Sequence, residues 1–180
     1  MNKIGALSIL FSWIGLIFLI WRWKGDSSMT FSQHAARYRS SRIYYLVLWA
    51  ICLPPFTWFL IWWFVPTFHM HWFFTACAWL SSVGLGIAAI IPETVNWKVT
   101  VHRLAAFGMA YGMFPMTIMI GLNKNVGLAA RIFALGSASL MLAIILFLNH
   151  HKRHHSKMLW IQASYVAIFH LSILAATYTI

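Results

Sequence analysis

Histidine is the residue type in this chain best suited to chemistry, with nine copies against only two acids, Asp26 and Glu93. His69 and His71 flank Met70, and His150, His151, His154 and His155 surround Lys152 and Arg153. Zinc and similar metals need three or four converging ligands, and neither group has a cysteine or carboxylate beside it. The run at 150 to 155 therefore reads as a solvated basic loop, and His69 and His71 are left as the candidate metal pair. A haem held by two imidazoles needs both at one depth. His102 stands where a helix enters its apolar stretch, whereas His170 lies twelve residues past Met158, about 18 Å deeper along a helix. The two do not match, so His170 is expected to be a hydrogen-bonded packing histidine facing the bundle interior. Gln162, Ser164 and Tyr165 precede it on the same helix.

Glu93 is the other group with chemical potential. It lies in the string Pro92 to Ala106, where it can pair with Lys98 or Arg103 and where His102 follows closely. The alternatives are a small polar site made by Glu93, His102 and Arg103 at a membrane edge, or a polar turn held by a surface ion pair of little energy. Neither a Gly-x-Ser-x-Gly element nor a His-Glu-x-x-His element occurs, every lysine lies at a helix end, and no acid lies within an apolar run. These patterns point to a binding or organising protein rather than an enzyme, and no cofactor is favoured.

The elements that carry these residues follow from composition. Hydrophobic residues make up 62% of the 180 and charged residues 8%, too little polar surface for water and enough apolar surface for lipid. Six apolar runs follow one another: 4–21, 43–65, 72–91, 104–123, 132–149 and 158–180. In lipid each must bond its own backbone, so each is expected to be a helix. The expected fold is all-α, one domain over residues 1–180, a bundle of six transmembrane helices. The N-terminal run is kept as a span because Arg22, Trp23 and Lys24 follow it in place of small residues. Between the first two spans, residues 31–42 interleave apolar side chains with Arg37, Arg39 and Arg42, as a short helix lying on the membrane surface would.

The net charge of +11 sits between the apolar runs, which makes it a topology signal and a contact for anionic headgroups, at Arg37, Arg39 and Arg42 above all; no nucleic-acid partner is expected. The first, third and fifth loops hold ten of the basic residues and the other side only Lys3, Lys124 and Arg131. The positive-inside rule then puts both termini on the non-cytoplasmic side, in the plasma membrane.

Several features concern packing. Gly108 and Gly112 form a small-xxx-small pair on the fourth span, which lets a partner helix approach, from this chain or from another subunit. Pro54, Pro55 and Pro115 should kink their helices. Trp58, Trp62, Trp63, Trp72, Phe73 and Phe74 gather at one rim, as an aromatic belt does, with Trp21 and Trp23 at the other. Cys52 and Cys77 read as buried small residues.

The string with Pro92 and Glu93, then His102, Ala105 and Ala106 opening the fourth span, resembles an uncharacterised prokaryotic family of six-helix membrane proteins, itself similar to the damage-regulated autophagy modulator group. The resemblance implies a membrane protein without an assigned reaction and carries over only Glu93 and His102. The sequence thus favours a multi-pass membrane protein that binds lipid or a small apolar ligand, against a haem- or metal-dependent redox protein and against a subunit docking through its Gly108/Gly112 face to form a homo- or hetero-oligomer.

Overall fold

The computed structural model describes residues 2–91, 93, 97–150 and 156–179. Among them are seven helices and no strand: α1 (Asn2–Arg22), α2 (Phe31–Ala36), α3 (Arg39–Thr67), α4 (Trp72–Ile90), α5 (Trp97–Leu122), α6 (Leu128–His150) and α7 (Met158–Tyr178). Six of them, all but α2, are long and apolar enough to cross a membrane. Their outer faces expose Ile17, Ile51, Leu128 and Trp72 at 63 to 70%. A water-soluble monomer rarely leaves so continuous an apolar surface uncovered.

Three spans begin earlier than the charge pattern predicts, because the flanking polar groups find helical partners. Ser41 Oγ accepts from the Tyr38 amide at 3.1 Å, which starts α3 at Arg39 instead of Ile43. Arg103 reaches back to Glu93 from within α5, which begins at Trp97 rather than Leu104. Arg131 donates through Nε to the Gly121 carbonyl at 3.3 Å, so α6 includes it and opens at Leu128 instead of Ile132. A cation beside the last carbonyls of α5 also suits the negative end of that helix.

The closest helix pair is α4 and α5. A Cβ on Gly84 would fall 2.5 Å from the Ala105 carbonyl oxygen, and one on Gly112 would collide with Ser81. These two glycines let the backbones touch, and Ser81 Oγ donates across the seam to the Met109 carbonyl at 3.1 Å. Gly108 and Gly112 both face α4, Gly112 at its backbone and Gly108 against the side chain of Leu80 at 3.4 Å, and Gly84 of α4 adds the second point of backbone approach.

In α3, Pro54 and Pro55 have no N–H to give, so the carbonyls of Ala50 and Ile51 lack their usual amide partners. Further along, Leu60–Phe64 forms one π-helical turn, closed by the Val65 amide on the Leu60 carbonyl. The aromatic rim predicted at this end divides in two. Trp58, Trp62 and Trp72 face outward, whereas Phe74 is fully buried and stacks on Phe64 with ring centroids 5.5 Å apart. Phe74 therefore belongs to the core and not to a belt. The turn from α3 to α4 passes through His69 at φ +48°, the one positive φ among the described non-glycine residues. Asn123 and Asn125 both donate to the Phe68 carbonyl, at 2.8 and 3.1 Å, and so tie the loop after α5 to this turn.

Two apolar clusters fill the bundle. The larger centres on Phe59, Phe64, Phe74, Met116 and Phe169, the smaller on Leu16, Leu19, Phe31, Tyr45 and Trp49. The loops rich in Arg and Lys meet at the end of the bundle nearer the smaller cluster, where Ser27 Oγ donates to the Ser156 carbonyl at 2.7 Å and Arg42 Nη2 to that of Ile90 at 3.5 Å.

Candidate functional site

At the basic end every buried polar bond but one can be traced, and it serves to hold α2 in place. Thr30 and Gln33 cap the helix reciprocally. The Phe31 amide donates to Gln162 Oε1 on α7 at 3.0 Å. His102 of α5, 3% exposed, lies 2.7 Å by Nδ1 from the Ile91 carbonyl and 2.9 Å by Nε2 from Ser32 Oγ. A carbonyl only accepts, so Nδ1 carries a proton and both ring nitrogens are engaged. The exception is His34, fully buried, whose Nδ1 bonds the Thr30 carbonyl at 3.0 Å while Nε2, packed on Gly25, has no partner.

This geometry separates the residues that the sequence grouped at 93 to 103. Glu93 pairs with Arg103 at 2.9 Å, not with Lys98, and Arg103 is 62% exposed. His102 points away from that pair to Ser32 and anchors α2. Sequence reasoning missed this role because Ser32 lies 70 residues away, and nothing local marks it as a partner. His71 caps α4, accepting from the Phe73 amide at 3.3 Å through Nδ1, and His69 makes the preceding turn. Among the described residues no three His, Cys, Asp or Glu come together as metal ligands. Of the histidine run, residues 151–155 lie outside the described residues.

The second polar region lies in the middle of the bundle, where the two apolar clusters meet around a cavity of about 50 Å³. Every helix except α6 contributes to its wall. Most of the polar atoms there are already committed. Ser12 Oγ donates to the Ile9 carbonyl at 2.7 Å, Ser81 Oγ to that of Met109, and Ser82 shares a 2.7 Å hydrogen bond with Thr57.

His170 is part of this wall, as expected for an interior histidine, but its partner is not on its own helix. The indole Nε1–H of Trp13 on α1 donates to His170 Nδ1 at 3.1 Å, and the rings of Trp13 and Phe56 stand edge-on to the imidazole. An indole nitrogen only donates, so Nδ1 is unprotonated and the neutral ring carries its hydrogen on Nε2. No hydrogen bond reaches Nε2 from the described residues. A second N–H is weakly served. Trp49 is 9% exposed, and Tyr45 stands edge-on to it at 6.0 Å with its hydroxyl beside the indole, outside good hydrogen-bond geometry for Nε1. The cavity wall thus carries two N–H donors without a well-formed protein hydrogen bond, in a region that has no acid. A buried donor left unpaired costs roughly 1–3 kcal/mol, so an oxygen brought to this wall would be favoured.

His102 is not part of this wall; its ring nitrogens are engaged by the Ile91 carbonyl and Ser32, whereas His170 is engaged by Trp13. Trp49 was not among the residues singled out in the sequence. A tryptophan in an apolar run carries no sign of whether its N–H will find a partner.

The fold and the cavity define a class, a six-helix apolar bundle with a donor-lined interior site. Comparison of the chain with protein-family models, with curated proteins and with solved structures finds no match to any of them.

Proposed function

We propose that this is an integral membrane protein that binds an uncharged, lipid-soluble ligand through an oxygen acceptor, seated between Trp49 and His170. The observation that carries the reading is a cavity wall holding His170, whose Nε2–H has no hydrogen bond among the described residues, and Trp49, whose Nε1–H has no acceptor in good hydrogen-bond geometry although the Tyr45 hydroxyl lies beside it. The chemistry of the ligand follows from the donors. It needs at least one accepting oxygen, carries no charge because nothing in the wall would neutralise one, and is otherwise apolar. At about 50 Å³ the cavity accommodates a few waters, each needing roughly 10–15 Å³, or the carbonyl end of a larger molecule. A prenylated or alkylated quinone is the chemical type that satisfies these conditions.

In this reading the six spans cross the plasma membrane, the basic end faces the cytoplasm and both termini face away from it. Arg37, Arg39 and Arg42 meet anionic headgroups there. Within the resemblance to six-helix prokaryotic membrane proteins, Glu93 and His102 are then structural positions rather than catalytic ones.

The test compares decyl-benzoquinone with decylbenzene, which has the same tail and no oxygen, on delipidated protein in mild detergent. Tighter binding of the quinone is expected. Equal affinity for the two, or binding of neither, overturns the proposal.

A further inference from the structure

We infer that the cavity is entered sideways from the bilayer, through the seam between α3 and α4, with Leu53 and the Thr57–Ser82 hydrogen bond as its closure; this rests on reading the cavity as a ligand seat. A second hollow, an open groove of about 330 Å³, runs along the outside of that seam. Trp58, Trp62 and Trp79, each more than half exposed, stand along it. Leu53 and Ser82 belong to the wall of the groove and to the wall of the inner cavity alike. The partition between bilayer and cavity is therefore one side chain thick at these two residues.

What closes the partition is slight. Leu53 reaches across to Gly86, where a Cβ would lie 3.8 Å from its Cδ2, and the glycine leaves that side of the seam unfilled. Beside it the Thr57 and Ser82 hydroxyls join the two helices at 2.7 Å. Thr57 lies between two interruptions of the helical hydrogen-bond ladder of α3, the Pro54–Pro55 pair and the π-helical turn at Leu60–Phe64, and Leu53 immediately precedes the first of them. Helices bend at such places. Swinging Leu53 aside joins cavity and groove, and their joint volume falls in the range of ordinary ligand pockets, roughly 300–1,000 Å³.

The other routes are obstructed. Toward the basic end Phe31 forms part of the wall, and α2 is fastened above it by Gln162 and His102. Toward the opposite end Phe59, Leu60, Phe64 and Phe68 are each at most 2% exposed. The occupant is accordingly a molecule dissolved in the membrane, its oxygen-bearing ring directed inward to Trp49 and His170 and its apolar tail lying in the tryptophan groove.

The test places a reversible lock on the seam. Thr57→Cys and Ser82→Cys, in a chain with Cys52→Ala and Cys77→Ala, replace two oxygens already in contact by two sulfurs. The protein in phosphatidylcholine vesicles is photolysed with an aryl diazirine confined to the bilayer, and adducts on the cavity-wall residues Phe56 and Met109 are counted by mass spectrometry. Adducts with the pair reduced, lost on oxidation and regained with reductant, are expected. Equal labelling in both states places the entrance elsewhere and overturns the inference, as does absence of adducts in the reduced protein. Decyl-benzoquinone binding is measured on the same samples. Failure to bind in either state defeats the ligand reading alone, because the adduct pattern still decides the route.

Discussion

The basic end and the middle of the bundle both bury polar groups, but they treat them differently. Around α2, His102 spends both ring nitrogens, Gln162 accepts an amide and Thr30 and Gln33 cap each other. In the cavity, Trp13 commits one nitrogen of His170 and leaves the other open, and Trp49 has only the Tyr45 hydroxyl beside it. The α2 end also leaves one ring nitrogen unpartnered, His34 Nε2, but that atom is packed on Gly25 and His34 does not line the cavity. Paired groups rigidify and add stability, whereas an open donor on a cavity wall can be satisfied by a further molecule. The difference separates a strut from a site, although both contain a buried histidine.

Substitution at His102 should break the strut and give the largest effect. His102→Ala leaves the Ile91 carbonyl and the Ser32 hydroxyl without their partner, each worth roughly 1–3 kcal/mol when orphaned. Thermal unfolding in detergent should occur at a clearly lower temperature. His170→Phe comes next, because it strands the Trp13 N–H at a cost of about 1–3 kcal/mol. Adding Trp13→Phe removes that stranded donor, so the double variant should recover part of the loss in a double-mutant cycle. Additive losses would show that the bond contributes nothing.

Trp49→Phe sharpens the comparison from the other side. It deletes a donor that has no well-formed protein hydrogen bond, so the melting temperature should hold or rise, while affinity for decyl-benzoquinone should fall roughly tenfold, the equivalent of one hydrogen bond of about 1.4 kcal/mol. Glu93→Gln should change stability by less than about 1 kcal/mol, because its partner Arg103 is largely in solvent. Asp26 gives the smallest effect. The Ser28 amide, helped by the Ser27 hydroxyl, holds its fully exposed carboxyl below the ordinary value. That link is complete at neutral pH and is lost only as pH falls through the lowered value, but in full solvent exposure it is slight, so Asp26→Asn should leave the unfolding temperature at pH 7 unchanged within error.

The spans were legible in the sequence because a run of about 18 to 20 apolar residues is long enough to cross a bilayer wherever it occurs. A short helix before the second span was legible, but its extent and setting were not: α2 ends at Ala36, carries none of Arg37, Arg39 and Arg42, and buries Phe31, Ser32, His34 and Ala35 instead of lying on the surface. Span ends were misread at Arg103 and Arg131, where an arginine bends back to an acid or to a carbonyl and lets the helix run past the charge. The seam was half legible. Gly112 marks its own side, but nothing local sets Gly84 of α4 apart as its counterpart. For the site, His170 could be assigned to the interior from the cost of an imidazole in lipid. Its partner Trp13, 157 residues earlier, and the open N–H of Trp49 depend on how helices distant in sequence are rotated against each other, which no local pattern records.

The most direct test is a nitrogen–proton spectrum of protein labelled at the indole nitrogens, with the Trp49 resonance assigned by its loss in Trp49→Phe. On addition of decyl-benzoquinone the Trp49 Nε1–H signal should move downfield, as an indole does on gaining an acceptor, and decylbenzene should leave it in place. A Trp49 signal that stays fixed at saturating quinone, or that moves equally with both compounds, would contradict the assignment of this cavity as the ligand seat.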